Sequence, residues 1–223
     1  MHAVEIPLLP SSSIAKKAVM AITGLLVIGF LAIHFIGNLL LFAGPQAYNQ
    51  YAHKLASNPL FYLAEAGLFL SFAYHIISGF LVWSRNRAAR SEGYQIQKRL
   101  GKGTFMSKTL ILSGIVILAF LILHLVSFKF GEYIPSAENP DIRDLYSLVV
   151  AKFHISWYVF TYIACIAVMG LHLSHGFQSA FRTLGLSNDR TLELLRWTSY
   201  SLAAFFVLGY SAFPLYFFLS ANQ

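Results

Sequence analysis

The chain has 223 residues, of which 57% belong to the apolar and aromatic set AVILMFWYC and only 11% are charged. Its mean hydropathy is +0.62, and a soluble domain carries roughly twice that share of charge, so an ordinary soluble enzyme is excluded. The formal charge of +7 comes with no basic fold or motif that would point to nucleic acid, and the lone Cys165 rules out an intrachain disulfide.

Five apolar runs exceed the ~17–20 residues that span a bilayer. They cover about 20–42, 60–83, 108–126, 157–181 and 199–219. The expected architecture is all-α: a transmembrane five-helix bundle over residues 1–223, with no separate soluble domain. The first run follows Lys16 and Lys17. It is too long for a signal-peptide core and lacks an A-x-A-like cleavage site, so it is expected to remain in the membrane. Between the first two runs, Tyr48, Tyr51 and Leu55 are spaced by three and four, which predicts a short helix lying at the interface. Residues 85–102 form a polar, basic link. Residues 129–152 contain Pro135 and Pro140 and form the longest excursion on the opposite side.

Basic residues are distributed asymmetrically. Of the 16 Lys and Arg, Lys16, Lys17, Arg85, Arg87, Arg90, Lys98, Arg99, Lys102, Lys108, Arg182, Arg190 and Arg196 fall on one side of the alternating spans. Lys54, Lys129, Arg143 and Lys152 fall on the other. The positive-inside rule then predicts a cytoplasmic N-terminus and an outer C-terminus. The basic face could also dock an acidic soluble partner.

Four of the five runs each contain a histidine: His34, His75, His124 and His172. Ionisable residues inside the hydrocarbon are costly and mark functional sites. Each lies ~14–16 positions into its run, or ~21–24 Å along a helix rising 1.5 Å per residue. Successive spans are antiparallel, so His34 and His124 share the outer depth, and His75 and His172 the inner. Two imidazoles at one depth can face each other across a flat macrocycle as axial ligands of haem iron. With no C-x-x-C-H, two such haems would be held by ligation and packing alone. Gly37, Gly79, Gly176 and Ser127 recur three or four residues after the histidines. They would let a porphyrin edge approach the backbone, or serve ordinary helix packing. His175 lies one turn beyond His172 and competes with it for the ligand role. His172 is preferred because it shares the depth and the His-x-x-x-Gly setting of His75, and His175, with Arg182, is expected beside a propionate or a quinone oxygen. Glu65 is the only carboxylate within a span and is a candidate proton carrier for a quinone.

The runs Ser11-Ser12-Ser13-Ile14-Ala15-Lys16-Lys17, Met20-Ala21-Ile22-Thr23-Gly24 and His34-Phe35-Ile36-Gly37-Asn38-Leu39 resemble the start of the di-haem cytochrome b anchor of succinate:quinone oxidoreductases. Gly170-Leu171-His172-Leu173-Ser174-His175-Gly176-Phe177 resembles its fourth span. The resemblance covers essentially the whole chain. It implies an outer haem b on His34 and His124, an inner haem b on His75 and His172, and a quinone, often menaquinone. It also implies a flavoprotein and an iron–sulfur subunit on the cytoplasmic face of a bacterial inner membrane, with a higher oligomer of the whole complex compatible with it. Electrons from succinate would pass from the inner to the outer haem and on to the quinone, or the complex could equally run in reverse as a fumarate reductase; dicarboxylate chemistry would lie outside this chain. A fumarate-reducing branch carries a glutamate where this chain has Gly170, which puts a proton path of that type in doubt. The alternatives are the haem b anchor of a hydrogenase or formate dehydrogenase, or a haem-free membrane transporter.

Overall fold

The computed structural model describes residues 12–88 and 105–221. His2, Arg90, Lys98, Arg99 and Lys102, and the side chain of Lys108, lie outside the described residues. Helix α1 (Ser13–Asn38) is capped by Ser12, whose hydroxyl accepts from the Ala15 amide at 3.0 Å. It tightens into a 3-10 turn over Leu39–Ala43 and stops at Gly44, whose φ of 99° suits a residue without Cβ. Helix α2 (Pro45–Ala56) starts on a proline, whose missing N–H costs nothing in the first turn. Tyr48, Tyr51 and Leu55 all lie on it.

Helix α3 (Pro59–Ala88) is followed by α4 (Phe105–His124), which continues as a π-helical turn over Leu125–Lys129. Helix α5 (Leu145–Phe153) begins at the Asp144 cap and leads into α6 (Ser156–Thr183). Helix α7 (Asp189–Ser220) opens with a capping box in which Asn188 and Thr191 satisfy each other's backbone amides. Among the described residues there is no strand, only an isolated bridge between Pro135 and Arg143.

Two elements differ from the sequence expectation. Helix α7 starts at Asp189, not near 199, because its first turns carry Asp189, Arg190, Glu193 and Arg196. Hydropathy alone does not see a polar first turn. Helix α5 occupies the end of the 129–152 excursion, where the sequence pattern predicts no helix. Its Asp144 cap and the run Leu145, Leu148, Val149 carry a helix signal too short to register as a span.

Among the described residues, five helical stretches are long and apolar enough to cross a bilayer: Ile14–Ala43, Pro59–Arg85, Thr109–Lys129, Ser156–Thr183 and Asp189–Ser220. Helices apolar on all sides belong in lipid, and large side chains such as Leu63, Phe69 and Leu208 face outward. The protein is an all-α, multi-pass membrane bundle.

Helix α1 packs on α3 and α6, and α4 on α6 and, more loosely, α3; α7 lies outside this square, chiefly against α6. The diagonals α1/α4 and α3/α6 make few or no close backbone contacts. One end of the bundle carries Lys16, Lys17, Arg85, Arg87, Arg182, Arg190 and Arg196; the other is covered by α2 and α5. We call these the basic and capped ends.

Buried apolar residues gather away from the middle of the square. The main cluster, with Leu41, Phe128, Val149, Tyr158, Tyr162 and Phe213, sits at the capped end. The second, Leu173, Ala203 and Phe206, fills the α6–α7 seam. There the place of a Cβ on Gly170 is already taken by Val207. A glutamate side chain at 170 would have to displace the Val207 side chain.

The capped end is tied down by polar contacts. Asn49 Nδ2 donates to Asp144 at 2.7 Å, and Asn49 Oδ1 accepts from the Tyr146 amide at 2.9 Å, which joins α2 to α5. Arg143 donates to the carbonyls of Gly131 and Glu132 at 2.8 Å each and closes the loop before α5.

Candidate functional site

The four span histidines meet as two pairs, one across each diagonal. His34 on α1 faces His124 on α4 with ring centroids 5.8 Å apart and planes at 87°. His75 on α3 faces His172 on α6 at 6.3 Å and 77°. The rings depth had placed together are thus the rings in contact. Each ring is half-buried although it points into the bundle.

The spacing fits an edge-to-face ring contact, for which centroids lie ~4.5–7 Å apart, and it also fits two ligands on one metal ion. With bonds of ~2.0–2.1 Å, as for histidine on zinc, and ring nitrogens ~1.1 Å from the ring centre, coaxial imidazoles have centroids about 6.2–6.4 Å apart. The His75–His172 separation matches this, and the His34–His124 separation is a few tenths of an ångström shorter.

Two hydrogen bonds fix which ring nitrogen is free. His75 Nδ1 lies 3.0 Å from the Met20 carbonyl oxygen. A carbonyl only accepts, so His75 carries its proton on Nδ1 and keeps a lone pair on Nε2. His172 Nδ1 lies 2.9 Å from Ser113 Oγ. The Ser113 hydroxyl proton is already given to the Leu110 carbonyl at 3.0 Å. With its proton on Leu110 that oxygen accepts from His172, which then takes the same tautomer. A metal-bound histidine typically has its second nitrogen engaged in this way.

The pair nearer the capped end is held differently. His124 Nδ1 is 3.3 Å from Tyr162 Oη, which accepts in turn from Tyr158 Oη at 3.2 Å. His34 stacks on Phe30 at 5.2 Å and 17°. Tyr210 braces this region, donating to the Leu31 carbonyl at 2.6 Å, while Phe35 fills the place of a Cβ on Gly209. A π-helical turn begins directly after His124 and buries Ser127 and Phe128.

The small residues flanking the histidines have separate roles. At Gly37 a Cβ would lie 2.8 Å from Tyr51 Oη, so this glycine admits α2. At Gly79 it would meet Met20 Sδ at 3.7 Å, and at Gly176 it would meet nothing within 4 Å.

His175 and Arg182 open onto a cleft of about 370 Å³ at the basic end, shared with Lys17, Gln178 and Ser179. Glu65 forms an ion pair with Lys129 at the capped end, with both side chains about one-third exposed (34% and 39%). His53 and His154 lie at the ends of α2 and α5, away from the pairs.

Residue spacing gave no hint of the groups that orient the rings: the Met20 carbonyl, Ser113, Tyr162 and Tyr158. Ser113, Tyr158 and Tyr162, polar groups within apolar spans, are the ones that could have drawn attention. Among the described residues no three His, Cys, Asp or Glu converge on a metal site. Two ligands per pair suit an ion whose remaining ligands come from a macrocycle, not the three or four protein ligands of a zinc centre. No known protein family, curated protein or solved structure matches this chain.

Proposed function

We propose that this chain is the di-haem cytochrome b anchor of a succinate:quinone oxidoreductase, holding two haems b and linking soluble redox subunits to a membrane quinone. The observation that carries the reading is the pair of diagonal histidine contacts at 5.8 and 6.3 Å. The motif runs around Lys16, Gly24, His34 and His172 support the choice of family.

His34 and His124 would hold one haem, and His75 and His172 the other. When bound, such a six-coordinate iron carries single electrons and offers no open position for oxygen. The chain's own groups do the positioning. Met20 and Ser113 hold the inner ligands in the metal-binding tautomer, and Tyr162 supports His124.

The basic end is read as cytoplasmic on the distribution of Lys and Arg. There Lys17, Arg85, Arg87 and Arg182 complement an acidic face of an iron–sulfur subunit or the haem propionates. The flavoprotein that oxidises succinate would lie beyond that subunit. For the quinone, Glu65 at the opposite end is the candidate proton carrier. The cleft around His175, Gln178 and Arg182 favours a second reading, a quinone at the basic end.

The test is haem stoichiometry in the purified complex. A pyridine haemochrome assay is expected to give about two haems b per chain, together with co-purifying flavoprotein and iron–sulfur subunits. His75→Ala should remove the inner haem alone and His34→Ala the outer. A fully loaded preparation with one haem or none overturns the di-haem reading. Hydrogenase or formate dehydrogenase subunits in its place would move the chain to another oxidoreductase.

A further inference from the structure

We infer that Gly24 and the Met20 carbonyl on α1 form the seat of His75 and so position the inner haem, an inference that rests on His75 and His172 being its axial ligands. His75 belongs to α3, yet its ring lies against the backbone of α1. Its Nδ1 donates to the Met20 oxygen at 3.0 Å. That oxygen is an α-helical carbonyl, normally screened by the side chain one turn later. Here the residue one turn later is Gly24. A Cβ at Gly24 would lie 3.0 Å from His75 Cε1 and 3.2 Å from its Nδ1. The ring would have to retreat by a few tenths of an ångström, which would strain its bond to Met20.

Thr23 adds to the seat. Its hydroxyl bonds the Val19 carbonyl at 2.7 Å and reaches the Met20 carbonyl at 3.3 Å. Back-bonding of this kind bends a helix locally. The run Met20-Ala21-Ile22-Thr23-Gly24 thus has a physical task. One helix serves both sites: α1 supplies His34 as a ligand to one pair and a backbone acceptor to the other. The displacement matters because the ring cannot simply turn away. It faces His172 at 6.3 Å on the opposite side, and a retreat of a few tenths of an ångström uses up most of the ~0.5 Å that a ligand site tolerates.

Alanine is the better helix former, so Gly→Ala in a span is neutral or stabilising unless the Cβ has no room. Gly29, on the same helix, has nothing within 4 Å of its Cβ position and is the internal control. The experiment compares Gly24→Ala and Gly29→Ala in the whole purified complex, by haemochrome assay, potentiometric titration and electron paramagnetic resonance. The Gly24 variant is expected to bind the inner haem ~10–100-fold more weakly, or to keep it with a raised midpoint and altered resonance. The outer haem and the Gly29 variant should be unchanged. Retention of both haems with unaltered midpoints and resonances overturns the inference.

A second pair of variants separates seating from folding. If the Cβ acts through the His75 ring, then in a His75→Ala background Gly24→Ala should be silent for the outer haem and for thermal stability. If it still destabilises the complex there, Gly24 is a general packing residue and the inference fails. A wild-type complex without an inner haem would instead refute the proposed function.

Discussion

Ser113→Ala deletes one oxygen and adds no volume. Ser113 Oγ accepts from His172 Nδ1 at 2.9 Å, and its own proton is committed to Leu110. The bond makes the imidazole more basic, which favours the ferric form of a bound haem. Removing it should raise the inner midpoint. A neutral hydrogen bond contributes ~0.5–1.5 kcal/mol net, but only the difference between the two redox states moves the potential. The Leu110 carbonyl, released from the serine hydroxyl, is also within reach of His172 and offsets part of the loss. A difference of ~0.5 kcal/mol corresponds to ~20 mV for one electron, since ~1.4 kcal/mol is ~59 mV. Potentiometric titration of the purified complex should show the inner haem rising by about that amount while the outer haem stays put. Ser71→Ala, which removes an exposed hydroxyl bonded to the Gly67 carbonyl, serves as control. A shift confined to the outer haem would refute the pairing, and a fall or no change in the inner midpoint would refute the tautomer argument.

His172→Ala should abolish the inner haem, whereas His175→Ala should spare both, because His175 opens to the basic cleft and not to His75; the visible spectra of the two variants decide it. Burial pushes the Asp144 carboxyl up, but hydrogen bonds from Ser147 and Asn49 outweigh it and hold it below the usual carboxylate range. A lowered folded value stabilises above the unfolded value of ~3.9 and is lost as pH falls through the folded one. Protection of the α5 amides, measured relative to their intrinsic exchange rates, should therefore fall as the pH drops below ~4 in the wild type, and Asp144→Asn should abolish that dependence; an acid-insensitive wild-type protection contradicts it. Glu65→Gln should slow quinone-linked turnover and change its pH profile without loss of haem. Full turnover across the pH range would leave Glu65 as the structural partner of Lys129 and favour the basic cleft as the quinone site.

The sequence by itself determined the membrane class, the number of spans and the depth of the four histidines. Each follows from one-dimensional quantities. Apolar length sets a span, and a rise of 1.5 Å per residue turns position into depth. It also located α2, because Tyr48, Tyr51 and Leu55 keep a helical period between breakers. The polar start of α7 escaped, since 189–198 is helical through its caps and not its hydropathy. Helix α5 escaped because nine residues are too few to form a span. What only the tertiary structure decided is lateral. Depth cannot say which helices are diagonal, so it could not show that His34 meets His124 across α1/α4, or His75 meets His172 across α3/α6. Nor could it assign Gly37 to Tyr51, Gly24 to His75, or Glu65 to Lys129. Those contacts depend on the rotation of each helix about its own axis. That angle is set by packing between helices, and a span apolar on every face carries almost no record of it in its sequence.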